Sequence, residues 1–106
     1  MTKVVVNSGI CGFSTTITAE KAPGKKVRIT LESDCEMVAK MAEDVAVLDM
    51  MAAFTGHLNN PVYRSAAKHL KHVACPVPSG ILKALEVELG LCLPKDAGIL
   101  FIKEKT

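Results

Sequence analysis

The first third of the chain carries apolar residues at a spacing of two. Residues 13–19 (FSTTITA) and 26–32 (KVRITLE) alternate apolar with polar positions, which places every second side chain on one face of a β-strand. Pro23 and Gly24 lie between these two segments and are typical turn residues. Residues 3–6 (KVVV) carry a further strand signal. The pattern predicts three strands, of which the last two form a β-hairpin.

After the third strand the apolar spacing changes to three and four, which is typical of a helix with one buried face. The positions that follow this spacing are Val38, Met41, Ala42, Val45, Leu48 and Ala52. Ser33 and Glu36 have the separation of a capping box, which marks a helix start. We therefore expect a long helix from about residue 35 to residue 53, ending before Gly56.

The remainder of the chain predicts two more helices and a strand. Asn60 followed by Pro61 predicts the start of a second helix that ends near Leu70. Residues 79–89 predict a third helix, and residues 97–104 (AGILFIKE) predict a closing strand. The expected order is β–β–β–α–α–α–β in a single domain. This order predicts an α+β fold over residues 1–106, with three helices packed on one face of an antiparallel or mixed sheet.

Composition narrows the class of protein. The 106 residues have a net charge of +2 and are 4% aromatic, which argues against a nucleic-acid-binding surface. No apolar run reaches the roughly 18–20 residues that span a bilayer, and the first residues lack the features of a signal peptide. We therefore expect a cytoplasmic protein with no membrane association. The four cysteines are then not expected to form structural disulfides.

Three of the cysteines lie at predicted element boundaries. Cys11 is in a glycine-flanked loop between strands, Cys35 is at the start of the predicted long helix, and Cys75 precedes the third helix. Helix N-termini favour the thiolate form of a cysteine. His72 lies three residues before Cys75, whereas Cys92 lies between two leucines and is expected to be buried filler.

These residues support three hypotheses. Thiolates with an imidazole bind zinc or an iron–sulfur cluster, so Cys11, Cys35 and Cys75 are candidate cofactor and metal ligands, with His72 or an exogenous ligand completing the site. Alternatively, Cys75 is the nucleophile of a thiol redox or sulfur-transfer protein, with Cys35 or Cys11 resolving a disulfide. A third hypothesis is a non-catalytic homodimeric interaction module, because methionine suits adaptable surfaces. The methionines concerned are Met37, Met41, Met50 and Met51.

The order and spacing of the cysteines resemble those of the NifU/IscU-type iron–sulfur cluster scaffold proteins over residues 9–90. In this sequence Cys11 is followed by glycine before the hairpin, Cys35 follows the hairpin, and Cys75 with a nearby histidine precedes a late helix. The resemblance implies a cluster held by these cysteines and passed to protein partners. Residues 75–96 also resemble a small family of short prokaryotic proteins of unknown function.

Overall fold

The computed structural model describes residues 1–104, which form an α+β fold. One antiparallel sheet contains four strands in the order β1-β2-β3-β4. The elements, in chain order, are β1 (Thr2–Asn7), β2 (Ser14–Ala22), β3 (Lys26–Ser33), α1 (Glu36–Ala39), β4 (Val47–Asp49), a short 3-10 helix (Met50–Ala53), α2 (Pro61–His69) and α3 (Val77–Glu88). The predicted α+β class is confirmed, but the order of the elements differs from the prediction.

The strands β2 and β3 follow the predicted alternation. Ile17 and Ala19 on β2 are buried together with Val27 and Ile29 on β3, while their neighbours along each strand are more exposed. The strands β2 and β3 form the predicted hairpin, with a turn in which Gly24 has a φ of +80°. Glycine adopts this left-handed conformation without a steric penalty. The sequence therefore predicts this part of the sheet correctly, including the face that packs on the core.

The long helix predicted over residues 35–53 is wrong. Within this range only Glu36–Ala39 is α-helical; the chain then turns and forms β4, which pairs with β3, and the short 3-10 helix Met50–Ala53 follows. The N–H of Ile29 donates to the carbonyl of Ala46 at 2.9 Å, which satisfies backbone groups that an edge strand would leave open. Tertiary pairing has overridden the helical pattern. The positions of the predicted stripe are nevertheless buried or half-buried.

The second helix is placed as predicted. Asn60 is the N-cap of α2, and its Oδ1 accepts a hydrogen bond from the N–H of Val62 at 3.0 Å. The third helix begins earlier than predicted, at Val77. Ser79 is therefore inside α3 and does not cap it; its hydroxyl lies 3.3 Å from the hydroxyl of Tyr63.

The helix α3 covers the inner face of β1 and β2 at close range. Gly80 is buried, and a Cβ added there would clash with Cγ2 of Val6 and lie 3.2 Å from Cδ1 of Ile17. Only a residue without a side chain allows this approach of helix to sheet. The position of Gly80 thus fixes where the first turn of α3 lies over β1 and β2.

The predicted closing strand is wrong, because residues 97–104 form no strand and the sheet ends at β1. The large apolar side chains in this region are exposed: Ile99 (84%), Leu100 (90%), Phe101 (96%) and Ile102 (86%). Cys92, expected to be buried, is exposed as well. Among the described residues, the structure contains no helix of the length and apolarity required to cross a membrane.

The C-terminal end of α3 is held to the sheet by hydrogen bonds of Glu88. Its carboxylate accepts hydrogen bonds from the hydroxyl of Thr2 at 2.8 Å and from the N–H of Lys21 at 3.0 Å. The amino group of Met1 lies 3.4 Å from Oε1. Burial alone would raise the pKa of Glu88, but these donors and the positive amino group together lower it below its ordinary value.

We expect Glu88→Gln to lower the free energy of unfolding by about 1 kcal/mol at pH 7, because hydrogen bonds to a charged acceptor are lost. A carboxyl group whose pKa is lowered by folding stabilises the fold above its unfolded pKa of about 4.3, and this contribution disappears as the pH falls through the lower folded pKa. The difference between wild type and variant in urea unfolding should therefore shrink below about pH 4. Glu20→Gln, exposed on β2, is the matched control; a difference that is independent of pH would contradict this explanation.

Candidate functional site

The register of the sheet brings the first two candidate cysteines to the same end. Asn7 of β1 pairs with Ser14 of β2, so the loop of residues 8–13 that contains Cys11 joins these strands at that end. The next pair across the sheet is Thr15 with Ser33, the last residue of β3. Because Cys35 lies only two residues after Ser33, it is at the end of the sheet that carries the Cys11 loop.

The direction of α3 brings the third candidate to this end as well. Gly80, in the first turn of α3, lies against Val6 near the end of β1. Glu88, in the last turn, bonds Thr2 at the start of β1. The helix therefore runs antiparallel to β1, and its N-terminus lies at the end where the 8–13 loop begins. We call this region, with Cys11, Cys35 and Cys75, the cysteine end of the sheet.

Cys11 lies in a tight, exposed loop. The N–H of Gly12 donates to the carbonyl of Gly9 at 2.9 Å, and the N–H of Ser8 donates to the carbonyl of Phe13 at 3.1 Å. Both glycines have positive φ, +85° and +76°, which other residues adopt at a cost. Cys11 is exposed between them, so its thiol is accessible to solvent.

Cys35 is the N-cap of the four-residue α1. Its N–H donates to Oγ of Ser33 at 3.1 Å, and Ser33 also accepts a hydrogen bond from the hydroxyl of Thr15 at 2.8 Å. Ser33 therefore forms hydrogen bonds at the end of β3 and is not the N-cap that the capping-box spacing predicts. Cys35 is half-buried and packs against the core. Cys35 does not lie at the start of a long helix, because the helix predicted over residues 35–53 does not form.

Cys75 is held by a turn just before α3. Its N–H donates to the carbonyl of His72 at 3.2 Å, and Pro76 is the N-cap of the 12-residue helix. The side chain is half-buried and packs against the core, whereas His72 is exposed. Cys75 thus has the position before a helix that the sequence predicts, with a thiol anchored on the same core as that of Cys35.

The arrangement gives thiols at one end of the sheet without a ready-made metal site. All four cysteines are free thiols. Over residues 1–104, no three side chains of His, Cys, Asp or Glu are close enough together to hold a metal ion. Cys11, Cys35, Cys75 and His72 therefore do not form such a group as they are arranged here.

A polar cluster that the sequence does not predict joins α2 to the segment after α1. The hydroxyl of Ser65 donates to Oδ2 of Asp44 at 2.7 Å, and Nε2 of His69 lies 3.1 Å from the same oxygen. The Ser65 hydrogen bond, aided by the charges of Lys68 and His69, outweighs desolvation and lowers the pKa of Asp44. The sequence does not predict this contact, because Asp44 and Ser65 are 21 positions apart and no local pattern links them.

The Asp44 cluster has the wrong order for nucleophilic catalysis. In a catalytic triad the imidazole lies between the hydroxyl and the carboxylate, whereas here the carboxylate of Asp44 lies between Ser65 and His69. Ser65 is also buried. The adjoining depression of about 440 Å³ is lined by side chains of both charges, namely Lys40, Glu43, Asp44, Lys68 and His69, together with Ala39. We interpret the cluster as a structural tether between α2 and the preceding turn.

These features define a small α+β protein with three of its four cysteines at one end of an antiparallel sheet. The chain belongs to a family of unknown function (DUF6951), whose profile matches residues 2–101. The match includes all four strands and all three helices, and it extends into the exposed apolar segment after α3. No curated protein and no solved structure matches the chain.

Proposed function

We propose that the cysteine end of the sheet binds a soft metal centre, zinc or an iron–sulfur cluster, through Cys11, Cys35 and Cys75. His72 or an exogenous ligand completes the coordination. The observation that supports this proposal is the common end of the sheet shared by the 8–13 loop, the end of β3 and the start of α3. Cysteines at these three places suit metals that take three or four sulfur and nitrogen ligands.

The proposal requires a rearrangement at the cysteine end, because the three thiols do not already form a metal-binding group. The side chains of Cys35 and Cys75 both pack on the core, so these two ligands keep their positions when metal binds. Cys11 is exposed on the loop of residues 8–13, in which it lies between Gly9 and Gly12. We propose that this loop closes towards the two fixed thiols when metal binds. Coupling of metal binding to local folding is common in thiolate sites.

The sequence resembles scaffold proteins that pass a cluster to other proteins. The partners that the proposed function implies are therefore proteins that accept a cluster. A cytoplasmic location is part of the same proposal, since free thiols persist in a reducing compartment.

Titration of the anaerobically purified full chain with Co²⁺ tests the proposal, because thiolate ligation of cobalt produces charge-transfer absorbance. Competition with zinc then gives the zinc affinity. We expect one metal per chain and at least about a tenfold loss of affinity for each of Cys11→Ser, Cys35→Ser and Cys75→Ser, since even the loss of a residue that hydrogen-bonds to a metal ligand costs that much. Cys92→Ser is the matched control, because Cys92 is exposed and lies outside the cysteine end. It should bind as the wild type does.

Reconstitution with iron and sulfide under the same conditions distinguishes a cluster from a single ion by its visible spectrum. Absence of thiolate-ligated metal in both titrations would contradict the proposal, and so would equal loss of affinity in Cys92→Ser. If no metal binds and half-buried Cys75 is alkylated faster than exposed Cys92, the redox or sulfur-transfer alternative is favoured, because accessibility alone predicts the opposite order.

A further inference from the structure

Two features of the described chain lack a partner strand. The strand β1 has six residues and is one of the two edges of the sheet, so one side of its backbone is unpaired; the other edge, β4, has only three residues. The segment of residues 98–103 (GILFIK) also has six residues and forms no strand in the described structure. It is rich in residues with high strand propensity and contains no proline.

The apolar segment 98–103 is far more exposed than a soluble domain ordinarily tolerates. Four consecutive large apolar residues, from Ile99 to Ile102, are each at least 84% exposed. The molecule is also elongated, because it extends 55 Å along its longest axis and only 29 and 25 Å along the other two. Contiguous exposed apolar residues of this kind mark interaction surfaces.

The edge of β1 offers apolar side chains on both of its faces. Val4 and Val6 are half-buried against the core on the inner face, and Val5 is 66% exposed on the outer face. Segment 98–103 is apolar on both faces as well, because a strand there would point Ile99 and Phe101 to one side and Leu100 and Ile102 to the other. An added strand would therefore bury apolar surface on each side of the sheet.

We propose that two copies of the chain form a dimer in which segment 98–103 of each adds as a fifth strand to the edge of β1 in the other. Each copy has the open β1 edge and one unpaired apolar segment, so a two-fold symmetric exchange gives both of them a partner and closes the assembly. Strand addition to an open edge adds backbone hydrogen bonds, and the packing of alternate side chains determines the register of the added strand. This proposal is independent of metal binding, because it uses no residue of the cysteine end.

Light scattering of the full chain over a range of concentrations tests the exchange. We expect a mass of twice 11.3 kDa and a dissociation constant that rises at least about tenfold in Phe101→Lys and in Val5→Lys, since each places a charge where apolar surface is buried. Leu58→Lys is the matched control, because Leu58 is 87% exposed outside both features; its dimer should match the wild type. Circular dichroism confirms that each variant is folded.

Mixing the two variants distinguishes strand exchange from other dimers. Both junctions in the dimer of either variant carry a lysine, whereas a mixed dimer has one junction without any, formed by the segment of Val5→Lys and the β1 edge of Phe101→Lys. Because a junction that carries a lysine does not close, the mixture should dimerise more tightly than either variant alone. Four results would overturn the proposal: a monomeric wild type, a dimer unaffected by Phe101→Lys, a dimer weakened equally by Leu58→Lys, or no gain on mixing. The first would result if the segment docks on its own β1, and the second if two β1 edges pair directly.

Discussion

Replacement of Asn60 by alanine is expected to lower the free energy of unfolding by about 2–4 kcal/mol, which is a large fraction of the stability of a small domain. Asn60 is only 2% exposed and makes three hydrogen bonds. Its Oδ1 accepts from the N–H of Val62, and its Nδ2 donates to the carbonyls of Ala52 at 2.7 Å and Thr55 at 3.0 Å. Alanine would leave these backbone groups without their partner in a place that water does not readily reach.

Urea unfolding monitored by circular dichroism measures this effect. Asn59→Ala is the matched control, because Asn59 is exposed and immediately precedes the buried residue; we expect a change within about 0.5 kcal/mol. Asn60→Asp separates the two roles of the side chain. It retains an acceptor for the N–H of Val62 but directs a carboxylate towards two carbonyl oxygens, so it should remain strongly destabilised. Recovery of wild-type stability in Asn60→Asp would show that capping alone explains the effect.

Gly80→Ala is expected to destabilise the protein by about 1–3 kcal/mol, because the added methyl group overpacks the contact between α3 and the sheet. Elsewhere in a helix the same substitution stabilises by roughly 0.5–1 kcal/mol, so the sign of the change is itself diagnostic. The atoms that obstruct the new Cβ belong to Val6 and Ile17, both on strands. Relief requires the whole helix to move away from β1 and β2.

Thermal and urea unfolding of Gly80→Ala beside Gly56→Ala provide the comparison. Gly56 has open space around the position of a Cβ and no positive φ, so its substitution should change stability by no more than about 0.5 kcal/mol. The double variant Gly80→Ala/Val6→Ala should recover part of the loss, because it removes the side chain that the new methyl group meets. A stabilised Gly80→Ala protein would contradict the close packing of α3 on β1.

The sequence by itself determined the elements whose signals are local. Period-two alternation defined β2 and β3 and the face that each buries, and the proline–glycine turn between them fixed the hairpin. Asn60 followed by Pro61 marked the start of α2 because capping depends only on neighbouring residues. The six positions of the apolar stripe between Val38 and Ala52 are also buried or half-buried, as the pattern predicts, although the helix predicted from them was wrong.

The tertiary structure decided what depends on partners distant in the chain. The stretch Val47–Asp49 became β4 because the open edge of β3 offered it backbone hydrogen bonds, which outweigh a helical pattern in a segment this short. In the same way, no local signal linked Asp44 to Ser65. The sequence identified Cys11, Cys35 and Cys75 as candidates, but only strand register and the direction of α3 placed them at one end of the sheet. Segment 98–103 has the composition of a strand and yet forms none, because a strand exists only where a second strand completes its hydrogen bonds.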